Sequence, residues 1–392
     1  MDFRLTDEQE GLRQAVRNFT EREIIAHWQT FRKKGFNEEI HNKMVEELGL
    51  GGATIPQEYD GAGLTKLDYT IATIELSRGD AGVGLSIGAT LSLVADTIIN
   101  FGTEEQKRKW LPVFVRGGKG AYGQTEPNAG SDVAAIKTKG IIEGEHIRIT
   151  GEKIFITNGS IADVIILIMR TSPDRYNGLT MIIVDANEAR KAGTLRHDPT
   201  PNKLGLHCSP TDNLIFEDCI VPFENILGAP GMGWLQANAT LIGSRPMIAA
   251  QAVGLAEAAR DCAVATILQR EQFGKKIYQF QSVQHIIAKM LTDIEAARLL
   301  TYQAAIAVDT TPLFERENIM EITSYAKYFA AKIATDVALQ AMILHGGMGY
   351  MKESRITAIW EDVPITHIYE GTDPIQLYVI ARQFFKKHNV KI

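Results

Sequence analysis

Apolar residues change their spacing twice along this chain, which constrains the fold more than any other feature of the sequence. Up to about residue 118 they recur at helical intervals. From Lys119 they form short runs rich in β-branched residues, and after Gly231 helical spacing returns in alanine-rich segments. This order predicts an α+β protein with an N-terminal helical domain (1–118), a middle antiparallel β domain (119–230) and a C-terminal helical bundle (231–392).

Local signals support this division. Thr6 is followed by Gln9 and Thr103 by Gln106, and each pair can form a capping box that satisfies free backbone N–H groups. The β part is predicted to contain the strands HIRIT, DVIILIM, LTMIIVD and NLIFEDCIVP. Long bundle helices are predicted at about 235–267, 281–308, 317–343 and 374–388.

Composition excludes several classes of protein. A net charge of −6, with no basic run longer than three residues (32–34 and 107–109), offers no field for a nucleic-acid backbone. The three cysteines are odd in number and lack metal-ligand spacing, so we expect reduced thiols and no metal site. No signal-peptide core and no apolar run of spanning length occur. We therefore expect a cytoplasmic protein without membrane insertion.

Residues 121–132, AYGQTEPNAGSD, are predicted to form a loop rich in hydrogen-bonding groups. Gln124, Thr125, Ser131 and free backbone N–H groups suit a planar heterocycle or a phosphate. Taken alone, the segment is equally explained as a hydrogen-bonded surface turn.

Residues 151–159, GEKIFITNG, follow about two dozen residues later. Here Phe155 is suited to cover the face of a ring, and Thr157 to donate to an acceptor at its edge. On its own the segment also fits an ordinary strand that ends at Asn158-Gly159.

The helical region adds two basic positions with unusual neighbours. Arg245 beside Pro246 places a guanidinium at a helix irregularity. Arg270, Phe273 and Gln281 supply a cation, an aromatic platform and an amide, a set suited to a dinucleotide. Each position by itself also fits a solvated or core residue.

Glu370 lies in HIYEGTDPIQL, beside a Gly-Thr turn and between apolar residues. Partial desolvation raises the pKa of a carboxyl group towards the range useful for proton abstraction. A solvated glutamate in a loop is the competing interpretation.

Together these segments resemble the acyl-CoA dehydrogenase family, in the family's order and over nearly the whole chain. The motifs that carry the resemblance are QTEPNAGSD, FITNG, RPMIAA…VGLA, RxxFGxxIxxFQxVQ and IYEGTxxIQ. The resemblance implies FAD between the β domain and the bundle, an acyl-CoA substrate, an electron-transfer flavoprotein as acceptor, and a homotetramer in which a neighbour completes each flavin site. It assigns to the cofactor Tyr122, Gln124, Thr125, Gly130, Ser131, Phe155, Ile156, Thr157, Arg270, Phe273, Gln281, Gly346, Gly347 and Thr372. It assigns to the substrate Ser131, Ser244, Arg245, Tyr369, Gly371 and Arg382.

The resemblance also implies a mechanism in which Glu370 takes the α-proton while the β-hydrogen leaves as hydride to flavin N5, giving the 2-enoyl-CoA. Some members carry the base just before the Arg-Pro pair, where this chain has Ser244, which is no base. Residues 85–93 correspond to the acyl pocket and hold no charge, which predicts a neutral acyl group with room for branched or alicyclic tails.

The chain departs from the family pattern at positions near the expected CoA and FAD contacts, namely Ile242, Ile343, Glu361-Asp362 and Pro374. Two other functions therefore stay open. One is a flavin oxidase or monooxygenase on the same scaffold, and the other a catalytically silent acyl-CoA-binding member.

Overall fold

A computed structural model describes residues 4–200 and 202–390 and confirms the α+β architecture. Both predicted capping boxes are present, at Thr6 and Thr103. The N-terminal helices are α1 (Asp7–Phe19), α2 (Trp28–Lys34), α3 (Glu38–Leu48), α4 (Lys66–Gly79), α5 (Leu85–Ala89), α6 (Asp96–Phe101) and α7 (Glu104–Val115). A π-helical segment, Thr90–Ala95, joins α5 directly to α6.

A seven-stranded sheet follows. Its strands are β1 (Gly120–Gly123), β2 (Lys139–Glu143), β3 (His146–Thr157), β4 (Val164–Arg170), β5 (Leu179–Asp185), β6 (Leu195–Pro199) and β7 (Thr211–Pro222), with α8 (Ala186–Lys191) between β5 and β6. The order is β1-β4-β2-β3-β7-β6, and β5 pairs with β4. The long pairings are antiparallel as predicted, but β1 runs parallel to β4, with Gly120 opposite Val164. The four residues of β1 are too few to show a strand pattern in the sequence.

The bundle begins with the 37-residue helix α9 (Gly233–Gln269). A short hairpin, β8 (Glu271–Gln272) and β9 (Lys275–Lys276), leads into α10 (Gln281–Thr310), α11 (Met320–His345), α12 (Arg355–Asp362) and α13 (Asp373–Lys387). Helix α9 continues through Pro246, so this proline does not end the helix; its neighbours Met247, Ile248 and Ala249 are buried on all sides. Their packing offsets the backbone hydrogen bond that a proline removes.

Helix α9 is the central element of the molecule. Its buried residues pack against α4 on one side and against α10 and α11 on the other, in one apolar core shared by the N-terminal and C-terminal helices. The approach to α4 is so close that a Cβ at Gly254 would lie 2.4 Å from the Ile74 carbonyl oxygen. A separate apolar core lies within the β domain, between the sheet strands and α8. The predicted domain limits at 118 and 230 fall between elements and stay predictions.

Within the described ranges, no helix combines the length and the apolarity that crossing a membrane requires. The three cysteines form no disulfide, and Cys208 and Cys219 are buried.

Candidate active site

Glu370 lies in a tight turn between the 3-10 segment Val363–His367 and helix α13. Both Glu370 (φ 52°) and Gly371 (φ 99°) have left-handed backbone conformations. A side chain at position 371 would be strained at this φ and would place its Cβ 2.5 Å from Gln376 Nε2, so the position favours glycine. A left-handed glutamate is costly, and persists only where its surroundings hold it.

The Glu370 carboxyl group is held by helix α9. The hydroxyl of the buried Ser244 donates to Glu370 Oε2 at 2.5 Å. Burial raises the pKa of Glu370 to about 7, against the lowering effects of that hydrogen bond and of the Arg245 and Lys327 charges. A carboxyl group with this pKa is ready to accept a proton near neutral pH.

Arg245 is buried beside this carboxyl group. Its Nη1 donates to Ser324 Oγ at 3.0 Å, and its Nε has no hydrogen-bond partner in the described part of the chain. Burial lowers the pKa of Arg245 to about 10, partly offset by the charge of Glu370. The guanidinium therefore keeps an unused donor inside the protein.

Tyr369 connects the Glu370 turn to the N-terminal helices. Its hydroxyl donates to Gln251 Oε1 on α9, and Gln251 Nε2 donates to the Ala81 carbonyl oxygen at 2.9 Å. The Glu370 turn, α9 and the segment before α5 thus converge at one place.

The 121–132 loop is fixed by a buried ion pair between Glu126 and Lys153. The Glu126 carboxylate accepts from Lys153 Nζ at 2.8 Å and from the backbone N–H of Lys137 and Thr138 at 2.7 and 2.8 Å. Lys153 also donates to the Gln124 carbonyl oxygen at 3.1 Å. Burial lowers the pKa of Lys153 to about 8, although Glu126 acts in the opposite direction.

Both members of this ion pair were missed in the sequence analysis, although both lie in the quoted segments. Neither gave a sequence signal of burial, because a charged side chain is buried only where the tertiary structure supplies partners. They act on the loop backbone and leave the loop tip, Gly130 and Ser131, exposed.

Phe155 stands out from the sheet next to this loop. Its backbone is left-handed (φ 58°), at a register shift between Lys153 and Ile156, and 63% of its surface is exposed. Ile156 is buried and Thr157 is half-buried. Gln124 Oε1 is buried with no hydrogen-bond partner in the described ranges, so an unsatisfied acceptor lies close to an exposed ring. This combination fits the edge and face of a flavin.

Tyr122 of β1, at the start of the loop, is close enough to Glu370 for their charges to interact. Burial raises the pKa of Tyr122, the charge of Glu370 raises it further, and Thr240 on α9 opposes both. These residues come from β1, α9 and the turn before α13.

A second group of predicted cofactor residues lies elsewhere. Arg270 Nη1 donates to the Leu344 carbonyl oxygen at 3.2 Å, and a Cβ at Gly346 would lie 2.6 Å from the same nitrogen. Phe273 is 94% exposed, and Gly347 and Gln281 are exposed. Arg270 follows α9 by one residue, 25 residues after Arg245, which corresponds to about 37 Å of helix. One chain therefore does not bring this group to Glu370.

Two further predicted residues differ in their surroundings. Thr372 precedes α13 without forming a side-chain cap, so its hydroxyl is free of that role. Arg382 is exposed, nine residues into the helix, and its charge acts on Glu317. The structure does not bring Arg382 into contact with the Glu370 turn. The described residues contain no cluster able to hold a metal ion.

The departures from the family pattern have structural explanations. Ile242 packs in a small apolar cluster with Val308 and Ile319. Arg32 of α2 pairs with Glu361 and lies 3.3 Å from Asp362 Oδ1, so a guanidinium from the N-terminal helices faces both acids. Pro374 is the second residue of α13, where proline is well tolerated, and Ile343 is exposed.

Comparisons with known proteins show the family to which the chain is related. Three family models match the chain, those of the acyl-CoA dehydrogenase N-terminal domain (residues 6–118), middle domain (121–219) and C-terminal domain (231–385). A short-chain specific acyl-CoA dehydrogenase of Clostridium acetobutylicum is 41% identical over 389 residues, covering 98% of this chain and 100% of that protein.

Solved structures show the same likeness. The butyryl-CoA dehydrogenase of Megasphaera elsdenii has a TM-score of 0.93 at 37% identity, covering 98% of this chain and 100% of that one. A chain in a structure described as the electron transferring flavoprotein of Acidaminococcus fermentans has a TM-score of 0.92 at 38% identity, with the same coverage.

Proposed function

Because the chain belongs to the acyl-CoA dehydrogenase family, we propose that it oxidises a short, neutral acyl-CoA to the 2-enoyl-CoA with Glu370 as the α-proton base. The chain is an FAD-dependent acyl-CoA dehydrogenase. The observation that carries the proposal is the half-buried Glu370, whose carboxyl group accepts a hydrogen bond from Ser244 and whose pKa is raised by desolvation to about 7.

Glu370 would act through both its side chain and its backbone. The thioester α-proton is a very weak acid, so the carbonyl oxygen must be stabilised while the carboxylate removes the proton in a site that excludes water. We assign carbonyl binding to the backbone N–H of Glu370 and proton removal to its side chain. FAD, when bound, supplies the acceptor for the hydrogen that leaves the β-carbon with its electron pair. The α,β double bond forms as both hydrogens leave.

The proposed cofactor contacts fall into two groups of residues, one near Glu370 and one near Arg270. The loop from Tyr122 to Ser131 and the segment Phe155–Thr157 would hold the flavin ring, and Thr372 would contribute near it. Arg270, Phe273, Gln281 and the Gly346-Gly347 pair would bind the adenine side of FAD in a neighbouring subunit. Support for the neighbour comes from the separation of about 37 Å along α9, which one dinucleotide does not span. We therefore propose a homotetramer.

The acyl pocket is proposed to lie between α5, α9 and Tyr369. Ser86 and Ala89 of α5 are buried, and a Cβ at Gly88 would lie 3.4 Å from Met247 Sδ. The small residues of α5 thus bring it into van der Waals contact with α9. With Gln251 bound to Tyr369, this supports a short acyl tail. The relatives named for short-chain substrates point the same way.

Electron-transfer flavoprotein is the proposed acceptor, supported by the likeness to the chain in the Acidaminococcus fermentans structure. The test is anaerobic mixing of the purified yellow protein with a panel of acyl-CoAs. We expect butyryl-CoA to bleach the flavin fully, and re-oxidation by electron-transfer flavoprotein to exceed that by oxygen. Rapid re-oxidation by oxygen would indicate an oxidase, and a flavin that no acyl-CoA bleaches would indicate a catalytically silent protein.

A further inference from the structure

Behind the Glu370 turn lies a lysine that the proposed reaction leaves without a role. Lys327 is on α11, and its side chain is completely buried. Its Nζ donates to the Gly371 carbonyl oxygen at 2.9 Å and lies 3.6 Å from Asp373 Oδ1. The ammonium group therefore binds the backbone of the residue next to Glu370.

Asp373 is itself held from a second side. Its Oδ2 lies 2.6 Å from His367 Nδ1, and His367 Nε2 lies 2.7 Å from Thr335 Oγ1. His367 and Asp373 stand three residues before and three residues after Glu370. Since Lys327 and Thr335 both lie on α11, that helix supports the turn at both of its ends.

Gln376 alone would satisfy the carbonyl groups of the turn. Its Nε2 donates to the Gly371 oxygen at 2.9 Å and to the Glu370 oxygen at 3.3 Å. What Lys327 adds is a positive charge at a site where burying one is costly. A buried charge that a neutral amide could replace indicates a role beyond hydrogen bonding.

The charged and titratable groups around the Glu370 carboxyl come from several elements. They are Arg245 of α9, Lys327 of α11, Tyr122 of β1 and the adjacent Tyr369. Arg245 is bound to Ser324, whereas Lys327 is bound to the turn itself. Lys327 is therefore the cation whose position is coupled to that of Glu370.

We propose that Lys327 is a positioning residue, which holds the left-handed Glu370–Gly371 turn and supplies the positive charge that keeps Glu370 ionised. This inference depends on the proposed role of Glu370. Burial lowers the pKa of Lys327 to about 8, while Asp373 and Glu370 act in the opposite direction. Flavin reduction should then need Glu370 deprotonated on the acid side and Lys327 protonated on the alkaline side.

The test is the rate of anaerobic flavin reduction by butyryl-CoA in the holoenzyme, measured from about pH 6 to about pH 10. In Lys327→Met the maximal rate should fall roughly 10- to 100-fold. The acid limb of its pH–rate profile should move to higher pH, since losing a nearby positive charge raises the pKa of Glu370. Its alkaline limb should disappear.

Two further variants sharpen the result. In Asp373→Asn the alkaline limb should move to lower pH, because Asp373 is the strongest group that raises the pKa of Lys327. Lys332→Met is the matched control, since Lys332 lies on the same helix, its side chain is 53% exposed, and it forms a salt bridge with Asp336 on the surface. Its profile should equal that of the unmodified enzyme.

A folded, FAD-containing Lys327→Met enzyme with both limbs unchanged overturns the inference, even if its melting temperature falls. If that variant does not fold, an unchanged alkaline limb in Asp373→Asn overturns it instead. Glu370→Gln separates the two proposals. If it still reduces its flavin, the proposed function fails; if it is inactive while the other profiles are unchanged, only the role of Lys327 fails.

Discussion

The Ser244 hydroxyl donates a hydrogen bond of 2.5 Å to the Glu370 carboxylate, although 126 residues separate the two in sequence. Ser244 lies in the central helix α9, the first helix of the bundle. Glu370 lies in the turn before α13, the last helix of the bundle. The contact fixes the carboxyl group relative to the helix that also carries Arg245. The position of the Glu370 carboxyl group is thus set by the core of the molecule.

Glu370→Gln should abolish flavin reduction while FAD and acyl-CoA binding persist. Glutamine keeps the volume and the backbone N–H, so only proton acceptance is lost, and we expect a fall of roughly 10⁴-fold or more. The rate of flavin reduction by Glu370→Asp should lie between those of the unmodified enzyme and the Gln variant, because the shorter side chain withdraws the carboxylate from the substrate α-carbon. Stopped-flow reduction by butyryl-CoA measures both. A Gln variant within tenfold of the unmodified rate would place the base elsewhere.

Ser244→Ala should shift the pH dependence of flavin reduction. The hydroxyl binds the ionised carboxyl group and lowers its pKa, so its removal raises the pKa of Glu370 above about 7. The acid limb should therefore move to higher pH, with a loss of roughly 3- to 10-fold near neutral pH and little loss where Glu370 is fully ionised. A uniform loss at every pH would contradict the assignment.

Glu126→Gln should destabilise the fold, because it leaves the fully buried Lys153 without its counter-charge. Breaking a buried pair in this way costs about 3–5 kcal/mol in the free energy of unfolding. Glu143→Gln is the control, since its pair with Arg148 is exposed to solvent and should contribute little to the free energy of unfolding. Urea denaturation followed by circular dichroism gives the free energy of unfolding of both variants. Equal decreases would show that the buried pair contributes no more to stability than the exposed one.

Arg270→Ala should weaken FAD retention without slowing flavin reduction in the FAD-saturated enzyme. Its guanidinium packs on Gly346, far along α9 from Glu370, so the loss is a charge-assisted contact of about 1.5–3 kcal/mol. Lys289→Ala, which removes an exposed cation of α10, should retain FAD normally. Equilibrium dialysis of the apoprotein against FAD gives both dissociation constants.

Neutral acyl-CoAs should be better substrates than glutaryl-CoA. Residues 85–93 offer no cation to a second carboxylate, and an unpaired buried carboxylate costs several kcal/mol. We expect kcat/KM for butyryl-CoA to exceed that for glutaryl-CoA by roughly 100-fold or more. Comparable values would instead indicate that the unused Nε donor of Arg245 receives the acid.

The sequence predicted the helices closely where local signals were strong. The two capping boxes, at Thr6 and Thr103, were confirmed in position, because a cap depends on residues three apart. The parallel pairing of β1 with β4 could not be predicted, since it joins a four-residue strand to one more than 40 residues away.

The sequence named candidate residues of the site but did not predict the tertiary contacts between them. Glu370 was singled out by its apolar neighbours together with the IYEGTxxIQ motif, and its role as the base stays a prediction. Its contacts with Ser244 and Lys327 depend on helices brought together only by folding. Lys327 and Lys153 gave no sequence signal of burial, since a lysine is buried only where tertiary structure supplies partners.

The Arg32 pair with Glu361 and Asp362 joins helix α2 to helix α12, across 329 and 330 residues of sequence. Neither end can be exchanged independently of the other, because an arginine at 361 would face the guanidinium of Arg32. A chimera that takes residues 1–118 from a relative without a cation at position 32 would leave two acids facing one another. Recombination within this family is therefore constrained at this junction, and a graft of the N-terminal helices needs residues 32, 361 and 362 transferred together.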